Sequence, residues 1–264
     1  MKIACFSVAA MDFFPQQNQH FAGGNSLNQS VRFCQLGHEA AFVGALGSDE
    51  AGERILALLK AYGVDVSRCQ RLDGVTAHNQ LVNDSAGERF GVEGAWNDGV
   101  YGSFQLSQDD WRHVEACDVW ATHANGINYD EALARKTASH FLAVDFLHFN
   151  TYELLEKSLN VVDIAYFGGT PDMADELEQI SRRHNGLIVL TLGAGGSIAF
   201  QNGKAWRQAA LPLDPVVDCT GCGDAFQAAF TAHYYQHRDV PAALLAGAQL
   251  GREAASHFGG VMYA

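Results

Sequence analysis

The chain is poor in positive charge and has no long apolar run. Its 264 residues carry 17 Lys and Arg against 30 Asp and Glu, a formal charge of −13 at pH 7. Proteins that bind nucleic acid or anionic membranes neutralise phosphates with Lys and Arg, so this balance excludes both classes of partner. No stretch approaches the roughly 18 apolar residues that a transmembrane helix needs. We therefore expect no nucleic-acid partner and no membrane span.

Cysteine is also scarce, with six residues scattered over a chain of full domain length. Small secreted domains that depend on disulfides carry cysteine far more densely, so the pattern predicts reduced thiols and a cytoplasmic protein. The apolar start of the chain is too short for a signal peptide and is interrupted by Asp12. With 48% hydrophobic residues the chain can bury a sizeable core, and we expect a single domain over residues 1–264.

Short apolar runs alternate with amphipathic stretches along most of the sequence. Strands are predicted at 3–9, 40–45, 119–122, 141–146, 162–167 and 187–192. Helices are predicted at 26–36, 50–62, 109–115, 130–139, 171–183, 224–235 and 241–258. The apolar runs lack polar alternation, as in strands covered on both faces, so the fold class is an α/β sandwich with a predominantly parallel sheet. Two more polar stretches, 13–21 and 74–104, predict a small β lid.

The strongest local motif is Asp218-Cys219-Thr220-Gly221-Cys222-Gly223-Asp224, which precedes a long apolar helix. A glycine turn at a helix start exposes N–H groups without intrahelical partners, and the helix dipole adds partial positive charge, so this motif predicts an anion site. A carboxylate in the first turn, here Asp224, is placed to act as the general base of phosphoryl transfer. The alternative is a plain glycine turn followed by an ordinary N-terminal helix charge.

The same motif contains Cys-x-x-Cys, which also occurs in redox pairs and zinc sites. Zinc would need two more ligands, and the sequence has no second cysteine pair or spaced Cys/His pair. We favour the interpretation that Cys219 and Cys222 are simply two small residues in an anion loop. Because a thiol at a helix N-terminus tends to be acidic, we expect alkylation at Cys222, which a ligand with its phosphates in the anion loop would prevent.

A second motif, Gly23-Gly24-Asn25 followed by Asn28, begins an amphipathic helix. Residues three apart in a helix share a face, so the two amides would lie side by side. Each amide offers donors and an acceptor, which suits a ligand with many hydroxyl groups. The alternative is that Asn25 simply caps the helix.

A third motif, Thr191-Leu192-Gly193-Ala194-Gly195-Gly196-Ser197, ends a buried strand and enters a predicted hairpin. Glycines after a parallel strand allow a ligand to approach the backbone closely. The spacing does not match a dinucleotide fingerprint, and no P-loop sequence occurs anywhere in the chain.

Together, the order and spacing of these motifs resemble the PfkB (ribokinase-like) family of sugar kinases over essentially the whole chain. Gly23 to Gly37 resembles the N-terminal family signature, 47–52 a family turn, and 218–226 the C-terminal signature, with Cys222 where alanine is usual. The block from Asp12 to Phe21 is most similar to the branch that phosphorylates fructosamines such as fructoselysine.

The resemblance implies a ribokinase-like three-layer α/β/α fold and ATP-dependent phosphorylation of a sugar primary hydroxyl, O6 in fructoselysine. A kinase for another small sugar or nucleoside, and a sugar- or nucleotide-binding regulator that has lost catalysis, are the alternatives. Mg²⁺ would accompany ATP, monovalent-cation dependence stays open, and relatives form homodimers through the lid.

The resemblance also implies roles for individual residues. Catalysis falls to Asp224 as the base, with the transferring phosphate at Gly221, Cys222 and Gly223. Substrate binding falls to Asp12, Gly23, Gly24, Asn25 and Asn28. ATP binding falls to Thr191, Gly193, Gly196, Thr220, Gly221 and Gly223.

One region departs from the family pattern. Many members carry Asn-x-x-Glu after the strand that corresponds to 162–167, where it helps to organise Mg²⁺ and phosphate, whereas this chain has Gly168-Gly169-Thr170-Pro171-Asp172. Asp172 is the nearest substitute as a metal ligand and fits equally well as a first-turn helix charge. An ordinary loop or surface role is favoured for four further polar residues: His123, Asn125, Arg89 and Glu93.

Overall fold

A computed structural model describes residues 1–85, 87–149 and 152–262 of the chain. Residue 86, which falls in the predicted lid, and residues 150, 151, 263 and 264 lie outside the described residues. The strands are β1 (Lys2–Cys5), β2 (Ala10–Phe14), β3 (Gln19–Gly23), β4 (Glu39–Phe42), β5 (Gly44–Gly47), β6 (Cys69–Leu72), β7 (His78–Asn83), β8 (Arg89–Gly91), β9 (Val119–His123), β10 (Phe141–Asp145), β11 (Ile164–Gly168), β12 (Leu187–Thr191), β13 (Ser197–Gln201) and β14 (Lys204–Gln208). The helices are α1 (Asn25–Gln35), α2 (Glu50–Ala61), α3 (Gln108–Glu115), α4 (Tyr129–Arg135), α5 (Glu153–Ser158), α6 (Ala174–Ser181), α7 (Cys222–His237) and α8 (Val240–Ala254).

Eight strands form the central sheet, in the order β14-β13-β12-β11-β10-β9-β1-β4. Neighbours from β12 to β4 are parallel, and β13 and β14 add an antiparallel hairpin at one edge. Next to the edge strand β4, Ile3 of β1 pairs with Val119 on one side and Ala40 on the other. The predicted predominantly parallel sheet is confirmed.

Helices cover both faces of the sheet. Because strand residues point alternately to opposite sides, neighbouring residues of one strand pack against different helices. Leu142 of β10 belongs to a core cluster that includes residues of α3, α4, α5 and α6. Its neighbour Phe141 belongs to a second cluster, which includes Phe230 of α7 and residues of α1 and α8. The three-layer α/β/α fold is therefore confirmed.

A second sheet of four strands, called here the small sheet, has the order β3-β2-β7-β8. It contains parts of both polar stretches, and β2 pairs antiparallel with β3 and parallel with β7. Asp49 at the start of α2 joins the small sheet to the main body. Its carboxylate caps α2 at Gly52 N (3.0 Å) and accepts from Thr76 N (2.9 Å), just before β7.

Several predicted bounds are wrong. The strand predicted at 3–9 ends at Cys5, because the chain leaves the central sheet there and enters the small sheet at Ala10. The strand predicted at 40–45 is divided at Val43 between the central sheet and a separate pair formed by β5 and β6. The helix predicted at 130–139 ends at Arg135, and α5, which spans six residues, was not predicted. No helix in the described ranges is long and apolar enough to cross a membrane.

Candidate active site

Helices α1 and α7 begin side by side, and their first turns share one carboxylate. Asn25 Nδ2 donates to Asp224 Oδ1 (2.9 Å), and Asn28 Nδ2 donates to Asp224 Oδ2 (2.7 Å). Three-residue spacing puts both amides on one side of α1, facing α7. Both oxygens of the Asp224 carboxylate are therefore oriented by amides from a neighbouring helix.

Asn25 does not cap α1, so that alternative interpretation is wrong. The N-cap residue is Gly24, with φ 98°, and no side chain caps the helix. The Asn25 amide is instead fixed from three directions: Oδ1 accepts from Ser7 Oγ (2.9 Å), and Nδ2 donates to Asp224 and to Asp145 Oδ2 (3.2 Å). This side chain organises the site rather than the end of its helix.

Asp145 is a site residue that the sequence analysis missed. It is the last residue of β10, is buried, and accepts from Leu147 N (2.7 Å) as well as from Asn25. Burial raises the pKa of its carboxyl. A signal was available, since a carboxylate that ends a buried parallel strand lies at the sheet edge where ligands bind in open α/β folds.

Burial, with a smaller contribution from the nearby Asp145 charge, raises the pKa of Asp224 to about 7. The amides of Asn28 and Asn25 and the charge of Arg89 act in the opposite direction because they stabilise the carboxylate. A carboxyl that titrates near neutral pH is suited to accept and release a proton. Asp224 is thus the candidate base, at the start of α7.

Asp12 lies on β2, in the register position opposite Phe21 of β3 and Asn79 of β7. Burial raises the pKa of Asp12 to about 6, although the charge of Arg89 lowers it. Gly23 allows this placement, because a Cβ there would lie 2.5 Å from Asp12 Oδ2. The structure thus places the predicted sugar-binding pair Asp12 and Gly23 in direct proximity.

Residues 218–223, called here the anion loop, lead into α7. Gly221 is the N-cap residue with φ 74°, and a Cβ on it would lie 2.5 Å from the Cα of Gly260. Gly223 is exposed, and a Cβ on it would meet nothing within 4 Å. The helix start therefore faces open space where N–H groups and the helix dipole can receive a phosphate group.

Asp218 fixes the anion loop to its surroundings. Its buried carboxylate accepts from Thr220 N (3.0 Å) and Thr220 Oγ1 (2.7 Å), from Asn83 Nδ2 (2.8 Å) on β7, and from Gly259 N (2.8 Å). The Thr220 hydroxyl, predicted to bind ATP, is thus bonded to Asp218. The segment 257–262 closes the back of the site, where Gly260 O also accepts from Arg32 Nη2 (3.2 Å).

The prediction of an acidic Cys222 thiol is wrong. A hydrogen bond between the two thiols, together with burial, raises the pKa of Cys222. The same hydrogen bond lowers the pKa of Cys219, although burial acts in the opposite direction. A lone thiol at a helix start is expected to be acidic, but here the second thiol reverses that expectation. Within the described residues, no group of three or more His, Cys, Asp or Glu is placed to hold a metal ion, so the zinc alternative lacks a ligand set.

The residues predicted to bind ATP beyond the anion loop lie at the end of β12 and in the turn after it. Thr191 Oγ1 donates to the Phe167 carbonyl (3.2 Å), and Gly193 adopts φ 53° in the turn that follows. Gly196 has φ 88°, and a Cβ on it would collide with the Gln208 carbonyl, so the hairpin itself requires this glycine. The structure gives Gly196 a local role whether or not it also approaches a nucleotide.

The other polar residues considered from the sequence lie in different parts of the structure. His123 ends β9, is buried, and lies 3.0 Å from the Tyr101 hydroxyl through Nε2. Burial lowers the pKa of His123 to about 4, so its ring is neutral at physiological pH. Asp172 lies exposed in a 3₁₀ turn after β11, and Glu93 is exposed beyond β8.

The sequence matches known proteins over almost its full length. A model of the pfkB family carbohydrate kinases matches residues 13–120 and 105–262. Fructoselysine 6-kinase of Escherichia coli (strain K12) is 30% identical over 242 residues, which cover 90% of each protein. Fructosamine kinase FrlD of Bacillus subtilis (strain 168) is 23% identical over 269 residues, or 100% of this chain and 94% of that protein.

Solved structures support the same fold. Ribokinase of Arabidopsis thaliana, complexed with ribose and ATP, superposes with a TM-score of 0.81 at 21% identity, covering 98% of this chain and 93% of that one. Adenosine kinase from Sinorhizobium meliloti gives a TM-score of 0.81 at 19% identity, with 100% and 96% covered. At these identities the likeness concerns the fold alone.

Proposed function

The chain belongs to the pfkB family of carbohydrate kinases, and from that premise we propose that it phosphorylates the 6-hydroxyl of a fructosamine such as fructoselysine. As a sugar kinase it uses ATP as the phosphoryl donor. The observation that carries the proposal is the Asp224 carboxylate, held by two amides beside the anion loop. This arrangement supports a base beside a phosphate site, which transfer to a hydroxyl requires.

The proposed reaction follows from that placement. The sugar oxygen attacks the γ-phosphorus, the new P–O bond forms, and the bond between the γ-phosphorus and the β–γ bridging oxygen breaks. The hydroxyl proton passes to Asp224, and ADP leaves with the bridging oxygen. N–H groups at the start of α7 stabilise the charge on the transferring group, since they are oriented before the reaction begins.

Two observations support a fructosamine over other sugars. Two relatives that match this chain over most of their length are named for fructosamines. In addition, Asp12, Asp145 and Asp224 form an acidic site, and a fructosamine carries a cationic amine that a simple sugar lacks. Oppositely charged groups favour association and orientation of such a substrate.

We also propose that ATP binds as its Mg²⁺ complex. The described residues contain no three-ligand metal group, so most of the ligands of the ion would be phosphate oxygens and waters. Asp172 stays the proposed protein contributor. Activation by a monovalent cation, a homodimer formed through the small sheet and a cytoplasmic location belong to the same proposal.

A substrate panel tests the proposal through ADP release. We expect kcat/KM for fructoselysine to exceed that for ribose, fructose and adenosine by about 100-fold, with phosphate on O6 by NMR. Activity on ribose or adenosine without activity on fructosamines would replace the proposal by the alternative kinase. Sugar binding without ATP turnover on any member of the panel would favour a regulator.

A further inference from the structure

The turn before β8 is fastened to the anion loop. Asn83 Nδ2 donates to Asp218 Oδ1 (2.8 Å), and Cys219 N donates to the Gly87 carbonyl (2.9 Å). Arg89 follows this turn directly as the first residue of β8. These two hydrogen bonds hold the start of β8 near the anion loop, which leads into α7.

The same turn also reaches the loop after β12. Glu88 Oε1 lies 3.4 Å from the position that a Cβ on Gly193 would occupy. The turn therefore extends from the anion loop to the other loop predicted to bind ATP. A triphosphate that lies along these two loops would pass close to this turn, which Arg89 follows.

The charge of Arg89 acts on the acidic centre of the site. It lowers the pKa of Asp12, of Asp145 and of Asp224 relative to the effect of burial alone. Within residues 1–85, 87–149 and 152–262, no carboxylate forms an ion pair with the Arg89 guanidinium. The side chain is exposed and so remains available to an anion that enters the site.

We propose that Arg89 is a catalytic residue that binds the γ-phosphoryl group of ATP while that group moves to the sugar oxygen. This inference rests on the proposed kinase function. Asp145 and Asp224, which share the Asn25 amide, repel a triphosphate when charged, whereas N–H groups offer only partial positive charge. A guanidinium supplies a full charge and two parallel N–H donors, which match two phosphate oxygens. Arg89 is the cross-strand partner of Asn83, whose side chain reaches Asp218, so the Arg89 side chain lies on the face of the small sheet that borders the anion loop.

The test compares Arg89→Gln and Arg89→Lys with the wild type. Arg112→Gln is the matched control, since Arg112 is an exposed arginine on α3 that pairs with Asp109. We expect Arg89→Gln to lower kcat by about 100- to 1000-fold while KM for the sugar changes less than about threefold. Arg89→Lys keeps the charge without the paired donors, so its kcat should lie between those of wild type and Arg89→Gln.

A binding measurement separates this inference from the identity of the sugar. Calorimetry with ADP and with an ATP analogue that has an imido β–γ bridge needs no sugar. Arg89→Gln should weaken the analogue about tenfold and leave ADP within about twofold, because only the analogue carries a γ-phosphate. If wild type uses another sugar, the kinetic arm is run with that sugar, and the proposed substrate fails while the role of Arg89 is still decided.

Two results would overturn the assignment. In the first, Arg89→Gln binds the analogue as wild type does and keeps kcat within about threefold. In the second, it raises KM for the sugar with kcat unchanged, which would make Arg89 a contact of the sugar substituent instead.

Discussion

The Asp224 carboxyl couples the chemistry of the site to pH. Its pKa of about 7 means that the base is largely protonated at pH 6 and largely charged at pH 8. We expect kcat/KM to rise with pH through about 7, because only the charged form accepts the hydroxyl proton. Asp224→Asn should retain ATP and sugar binding by calorimetry and lose at least about 1000-fold in kcat. Near-normal turnover of that variant would refute the assignment of the base.

Asp145 should shift that pH profile without carrying the reaction. Its charge raises the pKa of Asp224, so Asp145→Asn should lower the pKa of the base and move the midpoint of kcat/KM to lower pH. Steady-state kinetics between pH 5.5 and 9 in buffers of constant ionic strength measure the midpoint. Asp130→Asn is the control, since Asp130 is an exposed aspartate on α4 that pairs with Lys157 and is not among the groups that shift the pKa of Asp224. An unchanged midpoint in Asp145→Asn would contradict the coupling.

The two thiols of the anion loop give a third test at this scale. Because the hydrogen bond from Cys222 lowers the pKa of Cys219, iodoacetamide should modify Cys219 first. Cys222→Ser keeps a weaker partner, and Cys222→Ala removes it, so alkylation of Cys219 should slow most in Cys222→Ala. Peptide mapping by mass spectrometry identifies the modified residue, and faster labelling of Cys222 would reverse the assignment.

Single residues were predictable where they lie in contiguous motifs. Asp224, Asn25 and Asn28 come from such motifs, and the structure brings them together. Asp145 was not found because its partner Asn25 lies 120 residues away, and no local pattern reports that distance. The thiol pKa values were also out of reach, since they depend on which sulfur donates.

At the scale of elements, periodicity predicted the long helices well and the strand ends poorly. The bounds of α1, α2 and α3 follow from apolar spacing and polar ends, which are local properties. The ends of β1 and β4 depend on where the chain leaves one sheet for another. Phe6, Val8 and Ala9 are apolar and the chain stays largely buried through that exit, so the hydropathy of residues 6–9 does not mark the strand end.

The start of α1 depends on a glycine that only the folded chain explains. Gly24 has φ 98°, and a Cβ on it would lie 2.8 Å from the Val8 carbonyl oxygen and 2.9 Å from Ala9 Cα. Because backbone atoms cannot move aside cheaply, Gly24→Ala should cost about 3 kcal/mol of unfolding free energy and reduce kcat through displacement of Asn25.

Gly37→Ala is the matched control at the other end of α1. Gly37 also has a positive φ of 83°, yet a Cβ on it would meet nothing within 4 Å. We expect only the conformational penalty of about 1–2 kcal/mol, with kcat unchanged. Urea denaturation of both variants measures the difference, and equal losses would show that the close approach at Gly24 has no energetic effect.

At the scale of the whole molecule, the acidic site should make stability depend on pH. The folded pKa of Asp224, about 7, exceeds the ordinary value of 3.8, so the folded state holds this proton more tightly than the unfolded state does. Its contribution to stability is therefore complete below about pH 4 and is lost as pH rises through about 7. Asp224→Asn removes this dependence.

The difference in unfolding free energy between wild type and Asp224→Asn isolates the contribution of the Asp224 proton. Relative to wild type, Asp224→Asn should gain on the order of 2 kcal/mol in unfolding free energy between pH 5 and pH 8.5. The buried His123 and His184, whose pKa values are lowered to about 4, titrate in both proteins and cancel in the difference. Guanidinium denaturation at several pH values measures the gap, and a gap independent of pH would contradict the raised pKa.

The segment 257–262 has a consequence for synthesis of the protein. Gly259 N completes the bonding of Asp218, Gly260 packs on Gly221 and accepts from Arg32, and the Met262 carbonyl accepts from the Tyr62 hydroxyl (2.6 Å). The anion loop therefore gains its backing only after every strand and helix described above has been synthesised. We expect a nascent chain that stops before residue 257 to lack ATP turnover, because its anion loop has nothing behind it.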